Sequence, residues 1–400
     1  AQFEFQSQNR VNQQFYDHDN LSWAVFGQLT YALADSVRLT GGLRYTYDRK
    51  SANDAANVLA YYRPGAAPAY SGPPVPCPAG TTLLASGACN SFVIVDERTW
   101  RNLSYRAGFE WDAGPRSMIY GNVSTGYRAG GYFFGTPDLH SYEPERVTAF
   151  TLGSKNEFFG RRLRINAEAF YQKFKGQQFG GLITQRVLPN GGTTFVGQTL
   201  NIARSEAYGV ELEAQWLATK TTTLSLQAQY LEATIKDFTF SSPNPGFLAP
   251  PAFGCAISPP PIAPAGTNYL VNCSGKPQLL APQWTLHGGL SQQLPLANGA
   301  MIVGDADASY SSSQLTSPSF LAQTRIGGYA LLNLRLSYET PNKAVRVTAF
   351  MDNVTNRAVP TSILPAFGYV DLPAPNGGAH YFLGVMAPPR QYGVRLSAKF

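Results

Sequence analysis

The sequence predicts an all-β fold, a transmembrane antiparallel β-barrel with short periplasmic turns and long extracellular loops. Three observations predict this class. Apolar and polar residues alternate along most of the chain, in about 14 segments that mostly run to ten or more residues. No stretch reaches the roughly 18 consecutive apolar residues that a membrane-spanning helix needs. Short and long connections also follow one another in strict alternation.

The final strand shows the alternation clearly. Tyr392, Val394 and Leu396 occupy one parity, whereas Gly393 and Arg395 occupy the other. Because successive strand side chains point to opposite faces, this strand has one apolar and one polar face. The same pattern occurs in residues 37–48, 102–111, 163–172, 208–216 and 345–352.

The connections indicate which end of each strand faces the cell exterior. Short turns are predicted at 34–36, 113–116, 159–162, 218–221, 295–299 and 341–343. Long irregular segments are predicted between them, at 49–97, 129–143, 175–198, 236–282, 311–327 and 353–388. Outer-membrane barrels have this asymmetry, since their periplasmic turns are short and their extracellular loops are long.

The positions of the arginines favour a watery interior. An arginine facing lipid at the bilayer midplane costs about 2–4 kcal/mol, whereas one facing a wet lumen costs little. Unpaired sheet edges do not survive in hydrocarbon either, so the strands are expected to close into a barrel. The arginines of the polar rows are Arg38, Arg44, Arg106, Arg128, Arg164, Arg335, Arg346 and Arg395.

Four cysteines form two local pairs, Cys77 with Cys89 and Cys255 with Cys273, each in a segment rich in proline and glycine. Zinc sites usually combine close Cys-x₂₋₄-Cys spacing with further cysteine or histidine ligands, and the sequence has neither here. We therefore interpret both pairs as loop disulfides formed in an oxidising compartment. Both lie on the side of the long loops.

Several other classes of protein are poorly supported. The net charge of +6 is spread along the chain, and nucleic-acid binders usually carry a basic stripe, so no nucleic-acid partner is expected. None of the four histidines lies in a zinc-protease or nucleophile-elbow motif, so the sequence does not indicate an enzyme, a metal site or a cofactor. His287 lies on a polar row and is the one candidate for a hydrolase triad. Residues 1–14 do not have the form of a signal peptide.

The segment GYRAGGYFFG (126–135) is the candidate ligand-binding region. It contains several glycines without phosphate-loop spacing, and it leaves a strand rather than opening a helix. We predict either a flexible rim or a ligand-facing loop that carries Arg128, Tyr132, Phe133 and Phe134.

The chain resembles the C-terminal part of a TonB-dependent outer-membrane receptor. Each matching stretch is weak alone, but together and in this order they cover nearly the whole chain. The stretches are SWAVFGQLTYALADSVRLTGGLRYTYDRK (22–50), IYGNVSTGYRAGGY (119–132), YEPERVTAFTLGSKNEFFGRRLRINAEAFYQKFK (142–175), EAYGVELEAQW (206–216), RVTAFMDNVTNRA (346–358) and PPRQYGVRLSAKF (388–400).

The resemblance implies a 22-stranded barrel around a plug domain, of which residues 1–400 would be the C-terminal portion of the barrel without the plug. It implies uptake of a scarce large solute energised by TonB, which acts through the missing plug. A ferric siderophore is the leading ligand, and cobalamin or oligosaccharides are alternatives. It also implies contact with outer-membrane lipid, and recognition of Phe400 by the barrel-assembly machinery.

Two alternatives remain open at this point. One is a complete 14-stranded passive channel or transporter of hydrophobic solutes. An even strand number allows this, although residues 3–20 lose their apolar parity after Phe5. The other concerns the arginine-rich lumen rows, which several glutamates partly offset. They are interpreted as solvated cross-strand pairs, and the alternative is an interior that tolerates anionic ligands such as ferric chelates.

Overall fold

The computed structural model describes residues 2–7, 10–15, 17–60, 82–83, 89–136, 139–187, 193–243, 253–258, 268–365 and 382–399. Nearly all of its regular structure is β-strand, and one short 3-10 turn covers Ala322–Thr324. None of the helical structure in these ranges is long and apolar enough to cross a membrane. The strands are β1 Gln2–Ser7, β2 Arg10–Phe15, β3 His18–Ala34, β4 Val37–Ala60, β5 Thr82–Leu83, β6 Cys89–Gly114, β7 Ser117–Arg128, β8 Gly131–Thr136, β9 Leu139–Tyr142, β10 Glu145–Phe158, β11 Leu163–Val187, β12 Thr193–Leu217, β13 Thr222–Asp237, β14 Thr239–Pro243, β15 Ala256–Ser258, β16 Asn268–Asn272, β17 Trp284–Pro295, β18 Met301–Ser311, β19 Gln314–Leu315, β20 Arg325–Ile326, β21 Tyr329–Glu339, β22 Val345–Asp352, β23 Pro360–Pro365, β24 Phe382–Met386 and β25 Gln391–Ala398.

One large antiparallel sheet contains most of these strands. Its order is β1-β2-β4-β6-β7-β10-β11-β12-β13-β17-β18-β21-β22-β25, which is a path of fourteen strands. Strand β3 pairs with the part of β4 that lies nearer the first turn, while β2 pairs with the outer part of β4. The strand number is roughly in line with the number expected from the sequence, and each main strand lies beside its neighbours in the chain.

The register places side chains in two kinds of row around the sheet. One row joins residues that are mostly polar: Arg38, Glu110, Tyr120, Gly153, Glu168, Glu211 and Gln229. The adjacent row is apolar and faces the other way: Leu39, Phe109, Gly121, Leu152, Ala169, Val210 and Tyr230. The apolar row is strongly exposed, with Leu152 at 57% and Val210 at 50%. An exposed apolar belt of this kind is the surface that a bilayer covers.

All six predicted short turns join consecutive strands of the sheet. The long segments differ in part from the prediction. Residues 49–60, 89–97, 175–187 and 193–198 belong to the long strands β4, β6, β11 and β12, rather than to irregular loops. The prediction was wrong there because these parts of the strands extend beyond the membrane. Outside the membrane, apolar and polar residues need not alternate, while the backbone ladder continues.

The buried apolar core lies at the end of the sheet with the long loops. It is formed by the segment after β13 and the segment after β18, together with the upper ends of β12 and β13. The members buried most deeply are Ile202, Ile235, Phe238, Phe240, Val271, Cys273, Leu315 and Phe320. The sheet itself buries few apolar side chains, because its apolar face is directed outward.

Candidate functional site

The segment GYRAGGYFFG contains most of β8, the first strand of an inward-folded β8–β9 hairpin at the loop end of the sheet. Strands β8 and β9 pair with each other and contact β4 and β12. Two glycines allow the close approach. A Cβ at Gly130 would lie 2.6 Å from the ring of Trp100, and one at Gly131 would lie 2.5 Å from the Tyr142 hydroxyl. Strands β8 and β9 therefore lie against the inner wall.

A cluster of charged and aromatic groups, which we call the clasp, holds the base of this hairpin. It consists of Asp96, Arg98, Trp100, His140 and Glu143. The Arg98 guanidinium donates to Asp96 at 3.0 Å and to Glu143 at 2.9 Å. The His140 Nε2 lies 3.0 Å from Asp96 Oδ2, and the Trp100 indole donates to Glu143 at 3.3 Å.

Electrostatics within the clasp favour the ionised carboxylate of Asp96. Burial alone would raise the pKa of Asp96, but hydrogen bonds from His140 and Arg98 outweigh burial and lower it. Burial, followed by the negative charge of Asp96, raises the pKa of Tyr132 to about 12, so Tyr132 stays neutral at physiological pH.

The four predicted ligand-binding residues take different positions. Arg128 is exposed at the end of β7, and Phe133 is partly buried. The Tyr132 ring stacks on His140 with centroids 6.0 Å apart, and its hydroxyl donates to the Lys50 carbonyl at 3.4 Å. Phe134 lies in β8, and its side chain is outside the described residues.

Sequence reasoning did not identify the clasp. Asp96 and Glu143 lie in segments that the sequence predicted to be irregular, 49–97 and 129–143, Arg98 lies just beyond the first of them, and no spacing motif joins the three. Alternation at Asp96, Arg98 and Trp100 was the available signal, because three residues of one parity share a face of a strand. The contact of Arg98 with Glu143, 45 positions further along the chain, is a tertiary feature.

A disulfide joins Cys255 to Cys273 with their Cα atoms 4.9 Å apart, and it lies against the apolar core of the loops. Neighbouring backbone packs tightly here, since a Cβ at Gly254 would overlap the carbonyl oxygen of Phe320. Of the other predicted pair, Cys77 and the side chain of Cys89 lie outside the described residues, as does Phe400.

His287 lines a polar groove of about 440 Å³ on the inner face of β13, β17 and β18, together with Ser225, Asp307 and Ser309. In the described structure its ring makes no hydrogen bond to either serine or to Asp307. Asp307 instead pairs with Arg335 at 2.7 Å. A hydrolase triad would require a chain of hydrogen bonds through the histidine, so this groove does not have that geometry. No group of three or more histidine, cysteine or acidic residues in the described ranges could hold a metal ion.

The sheet has one polar and one apolar face, short turns at one end and packed loops at the other. These are the features of an outer-membrane β-barrel wall. The family model described as "TonB dependent receptor-like, beta-barrel" matches residues 3–354. The chain belongs to this family, which is one of receptors and transporters, and it resides in the bacterial outer membrane. Comparison with curated proteins gives no match.

Solved structures share the fold at low sequence identity. The ferric yersiniabactin uptake receptor FyuA from Yersinia pestis is 14% identical, with a TM-score of 0.65 over 98% of this chain and 47% of that chain. The siderophore receptor PiuA from Acinetobacter baumannii is 15% identical, with a TM-score of 0.61 over 95% of this chain and 43% of that chain. The copper transporter OprC is 16% identical, with a TM-score of 0.58 over 98% of this chain and 48% of that chain. This chain therefore spans a little under half the length of each.

Proposed function

We propose that residues 1–400 are the C-terminal portion of the barrel of a receptor that imports a scarce large solute with energy from TonB. A ferric siderophore is the leading ligand. The family match over residues 3–354 carries this proposal. TonB would act through a plug domain in the lumen, and the barrel-assembly machinery would recognise Phe400 on the last strand.

The edges of the sheet support the view that this chain forms part of a larger barrel. In the described residues, the membrane-level strands β3 and β25 each pair with one neighbour, β4 and β22 respectively. Backbone groups on a free edge cannot find partners in hydrocarbon, so further strands are needed to close the sheet. The rival proposal of a complete 14-stranded passive channel would require a ladder between β3 and β25.

The loop end of the sheet supports capture of a ligand from outside. The clasp holds the β8–β9 hairpin against the inner wall, and the segments after β13 and β18 pack into an apolar core at the same end of the sheet. We propose that Arg128, Tyr132, Phe133 and Phe134 contribute to the ligand-facing surface. FyuA and PiuA are named as receptors for a ferric siderophore and a siderophore, whereas OprC is named as a copper transporter. Our choice of ligand follows the first two.

The test is uptake by cells that contain the intact receptor. Iron-starved cells would receive a panel of radiolabelled ferric siderophores, and uptake would be compared among the parent strain, a receptor deletion and a TonB deletion. We expect uptake of one ferric siderophore to fall to background in both deletions. Uptake that needs the receptor but not TonB would contradict energised transport and favour the passive channel. Receptor-dependent uptake of cobalamin or an oligosaccharide alone would contradict the choice of ligand.

A further inference from the structure

A recess of about 700 Å³ lies on the inner face of the sheet, at the end where the short turns are. Its walls come from the ends of β6, β7, β10 and β11, with the turns at 115–116 and 159–162. Lys155 identifies the inner face, because its ammonium group lies 5.5 Å from the ring centroid of Tyr120, a member of the polar row. The recess thus opens at the periplasmic mouth, and its volume is typical of a small-molecule site.

The acidic groups of the recess are already paired. Asp112 accepts two hydrogen bonds from Arg38, at 2.7 and 3.0 Å. Glu157 forms an ion pair with Arg161 at 3.3 Å. Each carboxylate of the recess therefore already has a cationic partner, although Arg38 is shared between Asp112 and Glu110, to which it donates at 3.0 Å.

Three cations of the recess have no carboxylate partner within the described residues: Arg116, Lys155 and Arg164. They converge from three elements. Arg164 lies directly opposite Glu157 in the β10–β11 ladder, and the Arg116 carbonyl accepts a hydrogen bond from the Glu157 backbone at 2.9 Å. Lys155 lies two residues before Glu157 on the same face.

Neighbouring polar residues mark the limits of this basic zone. Arg162, in the same turn, does not contribute, because its guanidinium donates to the carbonyls of Leu217 and Ala218. Asn166 donates to Glu213 at 3.1 Å and marks the border with the acidic part of the lumen wall. The cations of the recess that lack a carboxylate partner among the described residues therefore lie at the periplasmic mouth.

We propose that this recess binds a small polyanion that carries two or more carboxylate or phosphate groups. Two guanidinium groups and one ammonium group can each donate charge-assisted hydrogen bonds, and guanidinium matches the geometry of a carboxylate or phosphate. A concave recess favours a small ligand over a flat protein surface. The role of the site, to receive an anionic solute as it leaves the lumen, rests on the proposed transport function; the binding itself does not.

The intact receptor, purified in detergent, would be titrated calorimetrically with citrate and with pyrophosphate, and acetate would serve as the single-charge control. We expect Arg116→Gln, Lys155→Gln and Arg164→Gln each to weaken citrate affinity about tenfold. Binding should also weaken as salt rises, because the three cations are exposed. Acetate should bind far more weakly than citrate.

Arg49→Gln is the matched control, because Arg49 lies on the opposite face and pairs with Glu97 at 2.7 Å. It removes the same charge outside the recess and should leave citrate affinity unchanged. The proposal is overturned if citrate fails to bind the parent receptor, or if Arg49→Gln weakens binding as much as Arg164→Gln. The two proposals fail separately, since loss of siderophore uptake in cells does not alter polyanion binding by the purified protein.

Discussion

Arg98 and Glu143 form an ion pair of 2.9 Å that joins β6 to the chain just beyond the β8–β9 hairpin. Arg98 also bonds Asp96, and Asp96 bonds His140 within the hairpin. These contacts connect two segments that lie 45 positions apart. They fix the hairpin on the inner wall at the loop end of the sheet.

Removing the Arg98 charge should loosen the hairpin. Arg98→Gln leaves Asp96 and Glu143 without their shared cation. We expect the rate of amide hydrogen exchange in β8 and β9 to rise by up to about tenfold, because a partly exposed ion pair contributes only modestly to stability. The control is Arg49→Gln, which breaks the exposed Arg49–Glu97 pair on the outer face. Equal exchange in the two variants would show that the clasp does not hold the hairpin.

Acid should release the clasp. Because the pKa of Asp96 is lowered on folding, the stabilisation is complete above its ordinary value of 3.8 and is lost as pH falls through the lower, folded value. Fluorescence of Trp100 reports the change, measured as the difference between the parent and Trp100→Phe. Asp96→Asn should abolish this acid transition, and an unchanged transition in that variant would assign it to another group.

The inner surface should not tolerate a side chain at Gly209. A Cβ there would overlap the Tyr230 carbonyl oxygen and lie 2.9 Å from the Phe170 ring. We expect Gly209→Ala to reduce the free energy of unfolding by about 1–3 kcal/mol. Gly41→Ala is the control, since nothing lies within 4 Å of a Cβ at Gly41. Urea unfolding of the intact barrel measures both variants, and equal stability would contradict the packing.

A charge introduced on the apolar face of β10 should reduce stability more than one introduced on its polar face. Leu152 is 57% exposed on the apolar face, and Thr151 faces the lumen beside it. Leu152→Arg should cost about 2–4 kcal/mol if the position lies near the bilayer midplane, whereas Thr151→Arg should cost much less. Folding into lipid vesicles, followed by urea titration, gives both values. A larger loss for Thr151→Arg would reverse the assignment of the faces.

The Cys255–Cys273 disulfide should stabilise the loops and not the transmembrane sheet. It closes a segment with a sequence separation of 18, which corresponds to about 3 kcal/mol of loop-closure entropy. Replacing both cysteines by serine should make residues 253–280 sensitive to limited proteolysis while the barrel remains folded. Unaltered resistance of this segment would show that the apolar core alone is sufficient to hold it.

Much of the barrel wall could be predicted from the sequence alone. Alternation at Tyr392, Val394 and Leu396 identified β25, and the same pattern identified the other membrane strands, because strand period and solvent contrast are local properties. The turns were also predictable from their short spacing. The outer parts of β4, β6, β11 and β12 were missed, since strands in water on both sides carry no such contrast.

The sequence by itself determined which residues face lipid and which face water, because one-residue alternation decides that question along each strand. Only the tertiary structure decided what meets at the two mouths. The clasp unites Asp96 with His140, and the periplasmic recess unites Arg116 with Arg164. The physical reason is that these contacts depend on how far each strand extends and how each connection folds back, and no periodic pattern encodes either.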